Sequence, residues 1–159
     1  MSRHVVSAIP PPAEGFQGQA AGIVSRTLAA GIDGIVVATI LLAGYVGSSA
    51  VRFVWNPRTF TFPAPDGWFS VAAAGLIATA YLTVGWWIAG RSYGCAVMGL
   101  RVVGRDGRDL HFAPALVRAV VCVLFPLGLA WCALDRGTRA LHDLLTRSRV
   151  IYDWRHQEQ

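Results

Sequence analysis

The chain has 159 residues, enough for one domain with tails. Hydrophobic residues make up 54% of it and charged residues 14%, far below the roughly 25% charge of a soluble domain, so a water-soluble globule and a disordered chain are both excluded. The net charge of +5 comes from scattered arginines with no lysine, and the three cysteines (Cys95, Cys122, Cys132) have no paired spacing; a nucleic-acid surface and a secreted disulfide scaffold fall away, and a small integral membrane protein remains.

Met1 to Gln19 carries Pro10, Pro11, Pro12, Gly15 and Gly18 without apolar periodicity, and we expect a disordered tail there with no cleavable signal. From about Thr27 to Ala50 the chain is almost wholly Ala, Gly, Ile, Leu and Val, broken by Asp33. That is long enough to cross ~30 Å of hydrocarbon. A second, uncharged span runs from Trp68 to about Ala89. Between the two, Phe53, Trp55, Phe60, Phe62 and Trp68 cluster as an interfacial aromatic belt would, beside Arg52 and Arg58, and Trp86 and Trp87 mark the other face.

Next, Asp106-Gly107 between alternating apolar residues predicts a small β-hairpin over about 100–112, because a type I′ turn needs positive φ. Ser148 to Tyr152 would supply a third short strand beside it. The last apolar stretch, Ala113 to Leu134, holds Arg118, with Pro126 and Gly128 in its middle. A straight span would divide the arginines outside it six against seven. A helix that breaks at Pro126 and returns would instead leave eleven on one side, with only Arg52 and Arg58 on the other. The positive-inside rule favours the second arrangement, with both termini cytoplasmic, and a straight third span is the alternative. The expected fold is therefore an all-α integral membrane domain over 20–153. It has two transmembrane helices, a third broken or re-entrant apolar helix and a small cytoplasmic β element. A C-terminal tail follows over 154–159.

Ionisable groups in lipid-length segments need partners from protein or water. Arg26 and Asp33 share one helix face but lie about 10 Å apart, too far to pair directly. We expect Asp33 to pair with Arg118 and Arg26 to reach Asp143. Ala30, Gly34 and Ala38 form a small-residue stripe that permits close helix approach, and Gly75, Thr79 and Thr83 form a similar ridge on the second span. Two readings of the charges stand side by side: a buried ion-pair network that fixes helix register, or an ion or proton pathway through Asp33.

At these residues the sequence resembles the RDD family of bacterial membrane proteins. Ser25-Arg26 through Ile32-Asp33 is similar to its opening block, which would make Arg26 and Asp33 its Arg and first Asp. Gly90-Arg91-Ser92-Tyr93-Gly94 through Val103 resembles the loop after the second span, Leu116-Val117-Arg118 a further Arg position, and Leu141-His142-Asp143 through Ile151 the closing block, with Asp143 as the second Asp. The sequence departs from the family at Gly94-Cys95, where many members have Gly-Lys, and at Thr146-Arg147-Ser148, where they have Ala-Gly-Thr. The resemblance implies a bacterial cytoplasmic membrane protein, multi-pass, of a family linked to proposed transport, sodium/proton exchange and, in actinobacteria, lipid-import machines.

His111, His142, Asp143 and the cysteines lack metal-ligand spacing, and no nucleophile or phosphate-loop motif is present, so we expect no metal, cofactor or enzymatic activity. Cys122 and Cys132 are read as small apolar packers. The expected partners are the lipid bilayer and other membrane subunits or further copies of the chain. The expected role is an accessory or assembly subunit of a larger bacterial membrane complex, with a homo-oligomeric ion or proton transporter using Asp33 as the alternative.

Overall fold

The structure, a computed structural model, describes Gly15 and residues 17–64, 66–104, 107–125 and 148–153. Helix α1 runs Ile23–Trp55 and α2 Gly67–Ile88; a short α3, Tyr93–Val97, leads into strand β1, Leu100–Gly104, then α4, Phe112–Leu124, and strand β2, Ser148–Tyr152. At 1.5 Å per residue α1 is about 50 Å long and α2 about 33 Å. Both are long and apolar enough to cross a membrane, and only 11% of each apolar window is buried inside the protein. A soluble core helix would be covered by its neighbours, whereas these leave Ile35, Leu42, Val71 and Leu76 largely exposed.

α2 starts where the Asp66 carboxylate accepts the Trp68 N–H at 2.9 Å, an N-cap that fixes its first turn. α4, the shortest of the three apolar helices among the described residues, packs along α2. There Gly75 of the predicted ridge faces Val123, which would lie 3.7 Å from an added Cβ, and Thr83 is buried with its hydroxyl donating to the Thr79 carbonyl. Gly75 is thus the point of the ridge at which α4 approaches α2. The stripe of Ala30, Gly34 and Ala38 on α1 is instead exposed, and nothing lies within 4 Å of a Cβ built at Gly34. The packing expected of it within the chain is therefore absent among the described residues, because α1 meets α3 mainly through the neighbouring face that carries Ala29 and Asp33.

The β element differs from the hairpin expected over 100–112. A turn forms, but not the expected one: the Gly107 N–H donates to the Gly104 carbonyl, one residue earlier than a type I′ turn centred on Asp106-Gly107 would close, with Gly107 at φ +71° and the Gly104 N–H donating to the Arg108 carbonyl. The second strand does not form. Pro114 sits in the first turn of α4, where a missing N–H costs nothing, so the chain after the turn is committed to helix. β1 pairs antiparallel with β2 instead, Leu100 opposite Tyr152 and Val102 opposite Val150. The N-terminal segment completes the layer on the far side of β2: Gly18 donates to the Tyr152 carbonyl, Tyr152 to Gln19 and Ala21 to Val150. β2 is thus the central strand, and the expected tail over 1–19 ends earlier, since Gly18 and Gln19 are fixed by these bonds.

The core lies where this sheet meets the inner ends of the helices, around Leu100, Val102, Val150, Ala29, Ala115, Ala119 and Trp86. α4 ends at Leu124, its C-cap residue Phe125 at φ −128° and ψ 68°, next to Pro126 in sequence. The residue before a proline is driven out of the α region, which is a local reason for the stop. The return expected after Pro126 lies outside the described residues.

Candidate functional site

Arg26, Asp33 and Arg118 come together on one apolar cavity of about 310 Å³, between the inner halves of α1, α2 and α4 and closed at one end by Leu100 and Val150 of the sheet. All three are buried, Asp33 at 7% exposure and Arg118 at 3%. Ala30 and Gly34 line the same cavity. Asp143 lies outside the described residues, as do His142 and Cys132.

The expected Asp33–Arg118 ion pair does not form. The Asp33 carboxylate accepts from three neutral donors: Tyr81 Oη of α2 to Oδ1 at 2.7 Å, the Gly94 amide to Oδ1 at 2.7 Å, and Ser92 Oγ to Oδ2 at 2.5 Å. Two of the three come from the N-terminus of α3, and the whole of that terminus is accounted for. The Tyr93 N–H donates to Tyr81 Oη, that of Gly94 to Asp33, that of Cys95 to Ser92 Oγ, and Ala96 closes the first helical bond to the Ser92 carbonyl. A five-residue helix cannot hold itself together by propagation, since nucleation outweighs so few bonds. Here its free N–H groups are satisfied by side chains from α1, α2 and its own N-cap. Asp33 is therefore a helix cap delivered from another element, and its negative charge faces the positive end of the α3 dipole.

That geometry depends on Gly94. A Cβ at this position would run into the Ala29 carbonyl and come within 2.9 Å of Asp33 Cγ. No larger residue lets the amide approach the carboxylate so closely. Burial, opposed by the Ser92 hydrogen bond, pushes the thiol of the next residue, Cys95, above its usual pKa range.

The arginines serve the sheet. Arg118 donates from Nη1 to Ser148 Oγ at 2.6 Å, the first residue of β2, and its guanidinium lies 4.7 Å from the centre of the Trp86 ring. Arg26 Nε donates to the Ala21 carbonyl at 3.1 Å, and Ser25 Oγ meets Tyr152 Oη at 2.7 Å. Arg26 thus joins α1 to the N-terminal segment, and Arg118 joins α4 to β2. On the outer face Arg101 pairs with Asp109 at 2.7 Å and Asp153 at 3.4 Å, and Gln17 donates to Asp153. Trp86 is consequently a buried stacking partner at 5% exposure rather than a belt residue, whereas Trp87 is half exposed and stacks edge-on with Phe112 at 5.4 Å.

Tyr81, Trp86 and Ser148 carry no signal in the sequence as partners of the charges. Only Ser92, an N-cap residue type directly before the Tyr-Gly-Cys run, offered a usable hint. Among the described residues no group of His, Cys, Asp or Glu is placed to hold a metal ion.

The model of the RDD family matches residues 20–147, and that stretch contains Arg26, Asp33, the α3 cap and Arg118. The chain belongs to the RDD family. No curated protein and no solved structure matches it. RDD proteins are typically membrane proteins, and the two long apolar helices fit a membrane protein.

Proposed function

We propose that this RDD protein is a non-enzymatic accessory or assembly module of a larger bacterial membrane complex, in which the buried charges hold the helices to the sheet. The observation that carries the reading is the Asp33 carboxylate, all of whose contacts are taken up in capping α3 and tying it to α2. A carrier carboxylate has to exchange its partners with water and ion during each cycle; this one would release the N-terminus of a helix each time.

Depth supports the same reading. Trp68 and Trp87, both exposed, stand nineteen residues apart on α2, or about 28 Å, close to the ~30 Å hydrocarbon thickness. With the bilayer between them, the Asp33 cluster lies near one edge, beside the α2–α3 loop, whereas transporter sites sit near the midplane. The uneven division of the arginines under the re-entrant arrangement, eleven against two, supports a cytoplasmic side for the sheet and both termini at the bacterial inner membrane. The exposed stripe of Ala30, Gly34 and Ala38 is then available for a neighbouring subunit's helix.

The test is reconstitution of the full chain in proteoliposomes under a pH or Na⁺ gradient, with parallel purification in mild detergent. The expected result is ion flux no higher than in empty vesicles and co-purification of a defined membrane subunit at fixed stoichiometry. Gradient-driven flux that Asp33→Asn abolishes while the variant remains folded would instead establish the ion-transport reading.

A further inference from the structure

At the other end of the helix pair α1 runs past the start of α2, and the connection folds back along it. Tyr45 Oη donates to the Pro63 carbonyl at 3.1 Å, and Phe53, Phe60 and Phe62 stack edge-on in series at 5.4 and 5.1 Å. The result is a shaped cap with a shallow pocket of about 380 Å³, lined by Arg52, Asn56, Thr59, Thr61 and the rings of Trp55 and Phe60. Its outer surface is both aromatic and cationic. Trp55 is 88% exposed and Phe62 74%, and Arg58 stands on the same turn. The only acid of the loop, Asp66, is engaged in the N-cap of α2.

We propose that this cap is a binding site for the phosphate of an anionic phospholipid headgroup, on the leaflet opposite the sheet. The inference rests on the membrane reading above. With the hydrocarbon ending at Trp68, the cap lies in the headgroup layer, where aromatic rings settle and phosphates are dense. Arg52 and Arg58 supply planar forks suited to phosphate oxygens, and Asn56, Thr59 and Thr61 supply further hydrogen bonds. The end of α1 carries the equivalent of about half a negative charge, which the two guanidiniums outweigh. Phe60 and Trp55 would bed the glycerol end of the lipid, holding the headgroup over Arg52.

The full-length protein is reconstituted in vesicles of phosphatidylcholine mixed with phosphatidylglycerol, then released for native mass spectrometry, alongside Arg52→Gln, Arg58→Gln and the double variant. Retained phosphatidylglycerol should fall about fivefold for each arginine removed, with thermal stability unchanged because both side chains are exposed. Wild-type retention equal to that of the double variant overturns the proposal. So does loss of the retained lipid when inorganic phosphate alone is added, since the site would then serve a free anion. Wild-type protein that stays out of the vesicles would refute the membrane reading itself, an outcome separate from either of these.

Discussion

Replacing Gly94 by Ala adds one methyl group where the structure has no room for it. The new Cβ would be driven against the Ala29 carbonyl and would lie 2.9 Å from Asp33 Cγ, so α3 must back away from α1. Backing away lengthens the Gly94 N–H bond to Asp33 and strains the Ser92 and Tyr81 bonds to the same carboxylate. A hydrogen bond to a charged group contributes about 1.5–3 kcal/mol, and overpacking costs about 1–3 kcal/mol. The sum, about 2.5–6 kcal/mol, corresponds to a fall of roughly 5–24 °C in Tm for a chain of this size. Gly34→Ala is the matched control: it lies on α1 close to Asp33 in sequence, meets nothing within 4 Å, and removes a helix-interior glycine. It should therefore be neutral or stabilise by about 0.5–1 kcal/mol. Thermal unfolding of the two variants in one detergent, followed by tryptophan fluorescence, gives the comparison. Equal melting temperatures for Gly94→Ala and wild type would refute the cap geometry.

Ser92→Ala removes one donor to Asp33 and the N-cap of α3 together, and should lower stability by about 1–3 kcal/mol in the same assay. Arg118→Lys keeps the charge but loses the planar stack on Trp86 and the fork that reaches Ser148; a cost of about 1–2 kcal/mol is expected, with quenching of the Trp86 signal altered. Cys95 stays protonated in the folded protein because burial raises its pKa, while the unfolded thiol ionises near its usual value of about 8.5. Folding stability should accordingly hold below that pH and decline as pH rises above it; Cys95→Ala should remove this part of the slope in pH-dependent unfolding. By the same reasoning a thiol reagent should label Cys95 only after denaturation.

Composition and run length were enough to set the overall class. The spans over Thr27–Ala50 and Trp68–Ala89 reappear in α1 and α2, the latter almost to the residue, because an apolar stretch of that length has few other ways to satisfy its backbone. α1 extends past its predicted end to Trp55, since nothing in Val51–Trp55 breaks a helix before Asn56 and Pro57. Arg26, Asp33 and Arg118 were legible as buried charges needing partners, for the plain reason that a charge in a greasy run is costly.

What no single chain position announces is which partner wins. Asp33 prefers the N-terminus of α3, fifty-nine and more residues away in sequence, over the guanidinium of Arg118, because three donors converge on it once Gly94 lets the short helix dock against Ala29. β1 likewise takes β2 rather than its neighbour across the turn, since Pro114 and the apolar face of α4 pull that neighbour into helix. Local chemistry fixes where the helices and charged residues are; only close approach in three dimensions, allowed by one missing side chain, decides whom they touch.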